Sequence, residues 1–120
     1  MIRVWDIKPS DPLLKDVKRV EESTELHLGT WFNEPAMAWG VIPDSCLSDN
    51  YYLWSHAWPR TLRKFRREFL VFSRQALDDL RLRYPLLYGV TKQETSWLKH
   101  LGVEFRPPYE GWDTFIIRGR

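Results

Sequence analysis

The stretch LLYGVTKQETSWLKHLGVEF, Leu86 to Phe105, decides the fold. Its opening LLYGV is a short apolar run between Pro85 and a polar segment, the pattern of a buried strand. A polar turn follows, then one or two helical turns that end at Leu101-Gly102, glycine being a common helix stop. Val103 and Phe105 then start another apolar pair. Strand, short helix and strand in so little chain imply a sheet with helices packed on it.

Working outward, Arg60 to Tyr84 carries apolar residues at Leu62, Phe65, Phe69, Phe72, Ala76 and Leu80, spaced three and four apart. That spacing predicts a long amphipathic helix, and Pro85 stops it because proline disfavours helix in the residue before it. At the other end Ile2 to Ile7 reads as a first strand closed by Lys8-Pro9. Ser10 stands as a helix N-cap before Asp11 and Pro12, and Leu13, Leu14, Val17 and Val20 supply a helical stripe. A second short helix is predicted from about Thr24 to Trp31, then a turn at Asn33-Glu34-Pro35 and a strand from Ala36 to Ile42. Turn clusters Pro43-Asp44-Ser45 and Ser48-Asp49-Asn50 bracket Cys46, with room for a short strand between them. Tyr51 to Ser55 and Phe115 to Ile117 read as strands, the latter after a loop from Arg106 to Asp113. The sum is one mixed α/β (α+β) domain spanning 1–120.

Composition narrows the function classes. The chain has 120 residues, 43% of them hydrophobic and 15% aromatic, which excludes disorder from weak hydrophobicity. Seven tryptophans are more than a small core easily encloses, so either they form partly exposed core edges or some line a groove or an interface. A formal net charge of +2 does not by itself announce a nucleic-acid binder. The single Cys46 allows no internal disulfide and no cysteine-based zinc site, and no basic neighbour makes it a nucleophile. The N-terminal MIRVWDIKPSDPLL lacks a leader's apolar run, and no segment approaches the ~18 apolar residues of a membrane helix. The expectation is a protein kept in a cytoplasm or packed into a particle assembled there.

The element order, opened by IRVWDIKPSDPLLKDV and closed by WLKHLGVEF, resembles the GCN5-related N-acetyltransferases over nearly the whole chain. Within that fold, Ala38-Trp39-Gly40, LRKFRREFLVFSRQAL and TSWLKHLGVEF resemble the gene 13 or internal virion protein family of T7-like bacteriophages. The resemblance implies a twisted mixed sheet with a long helix and short flanking helices. It also implies a place for acetyl-CoA. Active acetyltransferases carry [QR]-x-x-G-x-[GA] between the central strand and the long helix, where small residues let backbone N–H groups wrap a pyrophosphate. The equivalent stretch here is Trp54-Ser55-His56-Ala57-Trp58-Pro59-Arg60-Thr61, which has no glycine, and Pro59 removes a donor. Arg60, Thr61, Arg63 and Lys64 are the residues left to hold a phosphate by side-chain contact. The family's tyrosine acid is matched by Leu98, which has no titratable proton, and its usual asparagine by Thr91.

Other constellations have two readings each. Arg60, Arg63, Lys64, Arg66 and Arg67 place five basic residues in eight positions at a helix start, where they oppose the helix dipole. Either they dock a phosphate, an acidic protein surface or DNA, or they are a solvated face with Lys64 and Glu68 paired. Arg74 with Asp78 and Asp79 with Arg83 are surface pairs at helical spacing. His56, between Trp54 and Trp58, is the one catalytic candidate, a general base by residue type, or else a hydrogen-bonded histidine at a strand end. His27 and His100 have no carboxylate at triad or metal spacing, and Asp78-Asp79 point to different helix faces, so no metal is expected.

The resemblance therefore implies a non-catalytic phage protein that binds a phage structural or host protein, in the virion interior or the host cytoplasm. Trp54, Trp58, Arg60, Arg63, Arg66 and Arg67 are its expected contact residues. The alternatives are an active acetyltransferase using acetyl-CoA, and a phage protein that inhibits a host factor.

Overall fold

The computed structural model describes residues 2–15, 17, 20–43, 50–91 and 96–119. Seven strands form one sheet: β1 (Ile2–Asp6), β2 (Glu25–Trp31), β3 (Glu34–Pro43), β4 (Tyr51–Ala57), β5 (Leu86–Thr91), β6 (Glu104–Tyr109) and β7 (Trp112–Arg118). Between β4 and β5 lie helices α1 (Pro59–Lys64) and α2 (Arg66–Arg83), and α3 (Ser96–His100) precedes β6. The strand order is β1-β2-β3-β4-β5-β7-β6. Among the described residues every neighbouring pair is antiparallel except β4 with β5.

Alternation decides which residues face which layer. On one face Met37, Trp39 and Val41 of β3, Leu87 of β5 and Phe115 and Ile117 of β7 pack under α2 and α3, meeting Phe69, Leu77, Leu80, Leu98 and Leu101. On the other face the N-terminal segment lays Leu14 and Val20 against Leu26, Leu28 and Ala38, with Trp54 and Trp58 at the margin. Leu14, Val41, Leu87 and Ile117 are fully enclosed, each contributing about 1.5–3 kcal/mol by burial.

Several elements depart from the sequence expectation. The predicted helix over 24–31 is strand β2: Leu26, Leu28 and Thr30 are buried in alternation, and the segment pairs with β1 on one side and β3 on the other. Sheet partners on both flanks override a pattern too short to separate the two periods. The predicted N-terminal helix is replaced, among the described residues, by two single turns of 3-10 helix, Pro12–Leu14 and Val20–Glu22. Asp11 rather than Ser10 caps the first, accepting the Leu13 N–H at 2.9 Å.

The loop expected from Arg106 to Asp113 is the β6–β7 hairpin, turned at Glu110 and Gly111, both at positive φ as a two-residue turn requires. Pro107 and Pro108 fit because β6 is an edge strand and the register shifts beside them. The long helix is present but broken at Phe65 (φ −131°, ψ 44°), whose ring packs 4.6 Å from that of Trp31. Lys64 reaches Glu34 of β3 at 3.6 Å rather than Glu68. Arg74 donates to the His100 carbonyl at 2.8 Å, and Asp78 lies 3.8 Å from Arg81. Asp79 and Arg83 do pair, at 2.8 Å. The turn clusters around Cys46, the short strand between them, the polar turn after Thr91 and the Trp97 side chain lie outside the described residues.

Candidate functional site

The single parallel junction creates the site. β4 and β5 pair at Tyr51 with Leu87, Tyr52 with Tyr88 and Leu53 with Gly89, and no further. Beyond Leu53, β4 runs on through Trp54, Ser55, His56 and Ala57 in register with β3, while Val90 and Thr91 of β5 pair with β7. The two strands thus part like a V at their C-terminal ends. In open α/β sheets this is where ligands enter, because backbone groups and helix starts converge there. Gly89 sits at the fork because Phe115 lies across it: a Cβ there would fall 2.2 Å from the Phe115 ring.

The β4–α1 junction closes the top of the V. The Trp58 N–H donates to the Ala36 carbonyl of β3 at 3.0 Å, and Pro59 opens α1 without an N–H. Thr61 is buried, 6% exposed, so it presents nothing to a ligand from outside. Arg60, Arg63, Arg66 and Arg67 are exposed and have no ion-pair partner among the described residues, whereas Lys64 is held by Glu34. His56 is half-buried with its ring edge-on to Trp58, centroids 4.8 Å apart. Trp54 lies across Gly40 and donates its indole N–H to Ser23 Oγ at 2.7 Å, which ties β4 to the N-terminal segment. The structure therefore splits the expected contact residues: Trp54 and Trp58 line the inner layer, and the four arginines face solvent.

Below the V, Leu53, Ser55, Phe72, Ser73 and Leu98 line a largely apolar cavity of about 40 Å³. Ser73 is 6% exposed, and its hydroxyl has no hydrogen-bond partner among the described residues. Leu98, in the position of the family's acid, is 6% exposed and belongs to the α2-side core. Gly102, at φ +75°, ends α3 as its C-terminal stop.

The strongest electrostatic cluster lies at the opposite end of the sheet. The Glu25 carboxylate accepts two bonds from Arg83, at 2.6 and 2.9 Å, another from the Tyr84 hydroxyl, and contacts His27 Nε2 at 2.9 Å. Burial by itself raises the Glu25 carboxyl, but the bonds from Arg83, Tyr84 and His27 outweigh it and hold the group down to about 2. Burial, with Glu25 beside it, pushes the Tyr84 phenol up to about 12. This cluster fastens the end of α2 to β2, far from the V.

No protein-family model matches the chain, and no curated protein matches it. Solved structures do. A GNAT family acetyltransferase from Elizabethkingia anophelis with acetyl-CoA bound aligns with a TM-score of 0.58 at 16% identity, over 98% of this chain and 97% of that one. The spermidine/spermine N-acetyltransferase of Vibrio cholerae aligns with a TM-score of 0.61 at 10% identity, over 98% and 95%. A Bacillus subtilis acetyltransferase in complex with CoA gives 0.58 at 11%, over 98% and 97%. The fold is that of the GCN5-related N-acetyltransferases. At such identities the likeness shows the fold alone.

Two of the compared structures hold acetyl-CoA or CoA. At the β4–α1 junction the Trp58 amide is taken by Ala36 and position 59 has no amide, so these two positions offer no backbone donor to a ligand. Among the described residues no helix is long and apolar enough to cross a membrane.

Proposed function

We propose that this chain is a binding protein on an acetyltransferase fold and does not transfer acetyl groups. The observation that carries the reading is the Trp58 N–H bonded to Ala36 ahead of Pro59, which removes two donors from the phosphate site at once. Leu98 in the core supports it, since the family's acid position is here a packing position. Calorimetric titration with acetyl-CoA is the test. No heat of binding at micromolar acetyl-CoA is expected; micromolar affinity that disappears in the Arg60/Arg63/Lys64 triple alanine variant overturns the reading.

From the resemblance of Ala38-Trp39-Gly40, LRKFRREFLVFSRQAL and TSWLKHLGVEF we further propose an internal virion or assembly role in a T7-like phage. Its partner would be a phage structural or host protein, met in the virion interior or the host cytoplasm. Mass spectrometry of purified virions and of assembly intermediates should find the chain in one of them, and absence from both removes the proposal.

A second reading, an active acetyltransferase, has one observation in its favour: the V between β4 and β5 is kept and leads to the cavity beside Ser55 and Ser73. It requires acetyl transfer from acetyl-CoA to an amine, with a backbone carbonyl or His56 assisting proton removal. Turnover absent across amines, peptides and host lysate ends that reading.

A further inference from the structure

Two locally unfavourable features stand side by side at the V end of the sheet. The β2–β3 hairpin turns at Phe32 (φ 50°) and Asn33 (φ 64°), and Phe32 is a bulky residue in the left-handed region that favours glycine or asparagine. Its ring is 78% exposed, so burial does not compensate the strain. The ring is nevertheless held in place, edge-on to Trp31 at 5.4 Å and 6.1 Å from Phe65. Phe65 is the break between α1 and α2, and Arg63, Arg66 and Arg67 lie within two residues of it, exposed and with no ion-pair partner among the described residues. Arg66 and Arg67 open α2, where positive charge opposes the helix dipole, while Arg63 lies in the last turn of α1. Neither the strained aromatic nor the free arginines contribute to the core.

We infer that Phe32 and the arginines Arg63, Arg66 and Arg67 form a binding surface for single-stranded nucleic acid, with a base stacked on Phe32 and phosphates on the guanidinium groups. This rests on the binding reading above and adds a ligand class to it. The chemistry chooses this polyanion over an acidic protein surface. The free arginines, with Lys64 held by Glu34, offer forks that take phosphate and carboxylate alike, so the choice rests on the exposed Phe32 ring, on which a base stacks and a carboxylate does not. A rigid, exposed ring gives any base a stacking platform, as in sequence-tolerant single-strand binders. The bases of duplex DNA are already stacked and give Phe32 nothing to cover.

Fluorescence anisotropy of a labelled oligothymidine against the intact chain, over roughly 50 to 300 mM NaCl, tests this. Expected is binding that weakens with salt with a log–log slope of about −2 to −3, from three or four phosphate contacts at ~0.7 each. Phe32→Asn should weaken binding by about tenfold or more with the slope unchanged, since it removes stacking and keeps the charge. It also suits the turn, so circular dichroism should show a folded protein. The Arg63→Gln/Arg66→Gln/Arg67→Gln variant should flatten the slope by about 2. No binding by the parent chain at low salt overturns the inference. So does a Phe32→Asn variant that binds like the parent, or equal competition by polyglutamate or by duplex DNA. An acetyl-CoA titration distinguishes failure here from failure of the non-catalytic reading, because the two sites share Arg63 alone and Phe32→Asn touches only the nucleic-acid surface.

Discussion

At the scale of single residues, Leu98 fills the angle between α3 and the sheet, 6% exposed. Leu98→Ala should therefore cost about 2–5 kcal/mol of stability through lost burial and an enlarged cavity, measured by urea denaturation. His56 is half-buried and makes an edge contact with Trp58, so His56→Ala should cost about 1 kcal/mol or less in the same assay. A reversal of that order would mean that Leu98 is not a core residue. Phe32 is a third kind of position. Asparagine there relieves a left-handed strain of about 1–2 kcal/mol, while the aromatic contacts to Trp31 and Phe65 contribute about as much. Phe32→Asn should consequently unfold within about 1 kcal/mol of the parent, whatever it does to binding.

At the scale of elements, the sheet depends on places where one strand's ring lies on another strand's backbone. Trp54 of β4 crosses β3 at Gly40, where a Cβ would fall 2.5 Å from the indole nitrogen and 2.8 Å from the Glu25 carbonyl. The carbonyl cannot move without breaking the β2–β3 ladder, so Gly40→Ala should destabilise by about 1–3 kcal/mol and loosen the Trp54 to Ser23 bond. Lower thermal stability together with a shift in tryptophan emission would register both effects. Contacts of this kind also explain what was legible in the sequence. The 86–105 stretch and the apolar spacing of 60–84 are local patterns, and both yielded their elements. At 24–31 the two-residue spacing of Leu26 and Leu28 fits a strand and not one helix face, but the run is short, and its pairing with β1 and β3, which decides the element, is not local in sequence. The same error concealed Phe32: with a helix placed before it, Asn33 marks a loop instead of a hairpin tip. The break at Phe65 was equally hidden, since its cause is Trp31, which is distant in sequence. At the site, the missing glycines and Pro59 could be read directly, whereas the loss of the Trp58 amide to Ala36 required the strand pairing.

At the scale of the whole molecule, the network around Glu25 ties together parts that are far apart along the chain. Arg83 and Tyr84 leave the end of α2, Glu25 and His27 belong to β2, and His27 lies 3.5 Å from Asp6 of β1. Because the Glu25 carboxyl falls from an ordinary value of 4.5 to about 2 on folding, its contribution is fully present above the unfolded value and is lost as pH drops through about 2. A shift of that size corresponds to about 3 kcal/mol at most, and screening by solvent at the 43%-exposed Arg83 lowers it. Tyr84 acts at the other limit: its phenol rises from 10.0 to about 12, so its contribution holds below the unfolded value and is lost as pH climbs through that interval. Stability should therefore form a plateau between roughly pH 5 and 10, falling away on the acid side through Glu25 and on the alkaline side through Tyr84. Glu25→Gln should lower the plateau by about 2–3 kcal/mol, because Arg83 loses its charged partner, and should flatten the acid limb between about pH 4.5 and 2. Tyr84→Phe should leave the acid limb in place and flatten the alkaline one. Urea melts of the three proteins across that pH range separate the two limbs, and an acid limb that survives Glu25→Gln would place the acid-sensitive group elsewhere in the molecule.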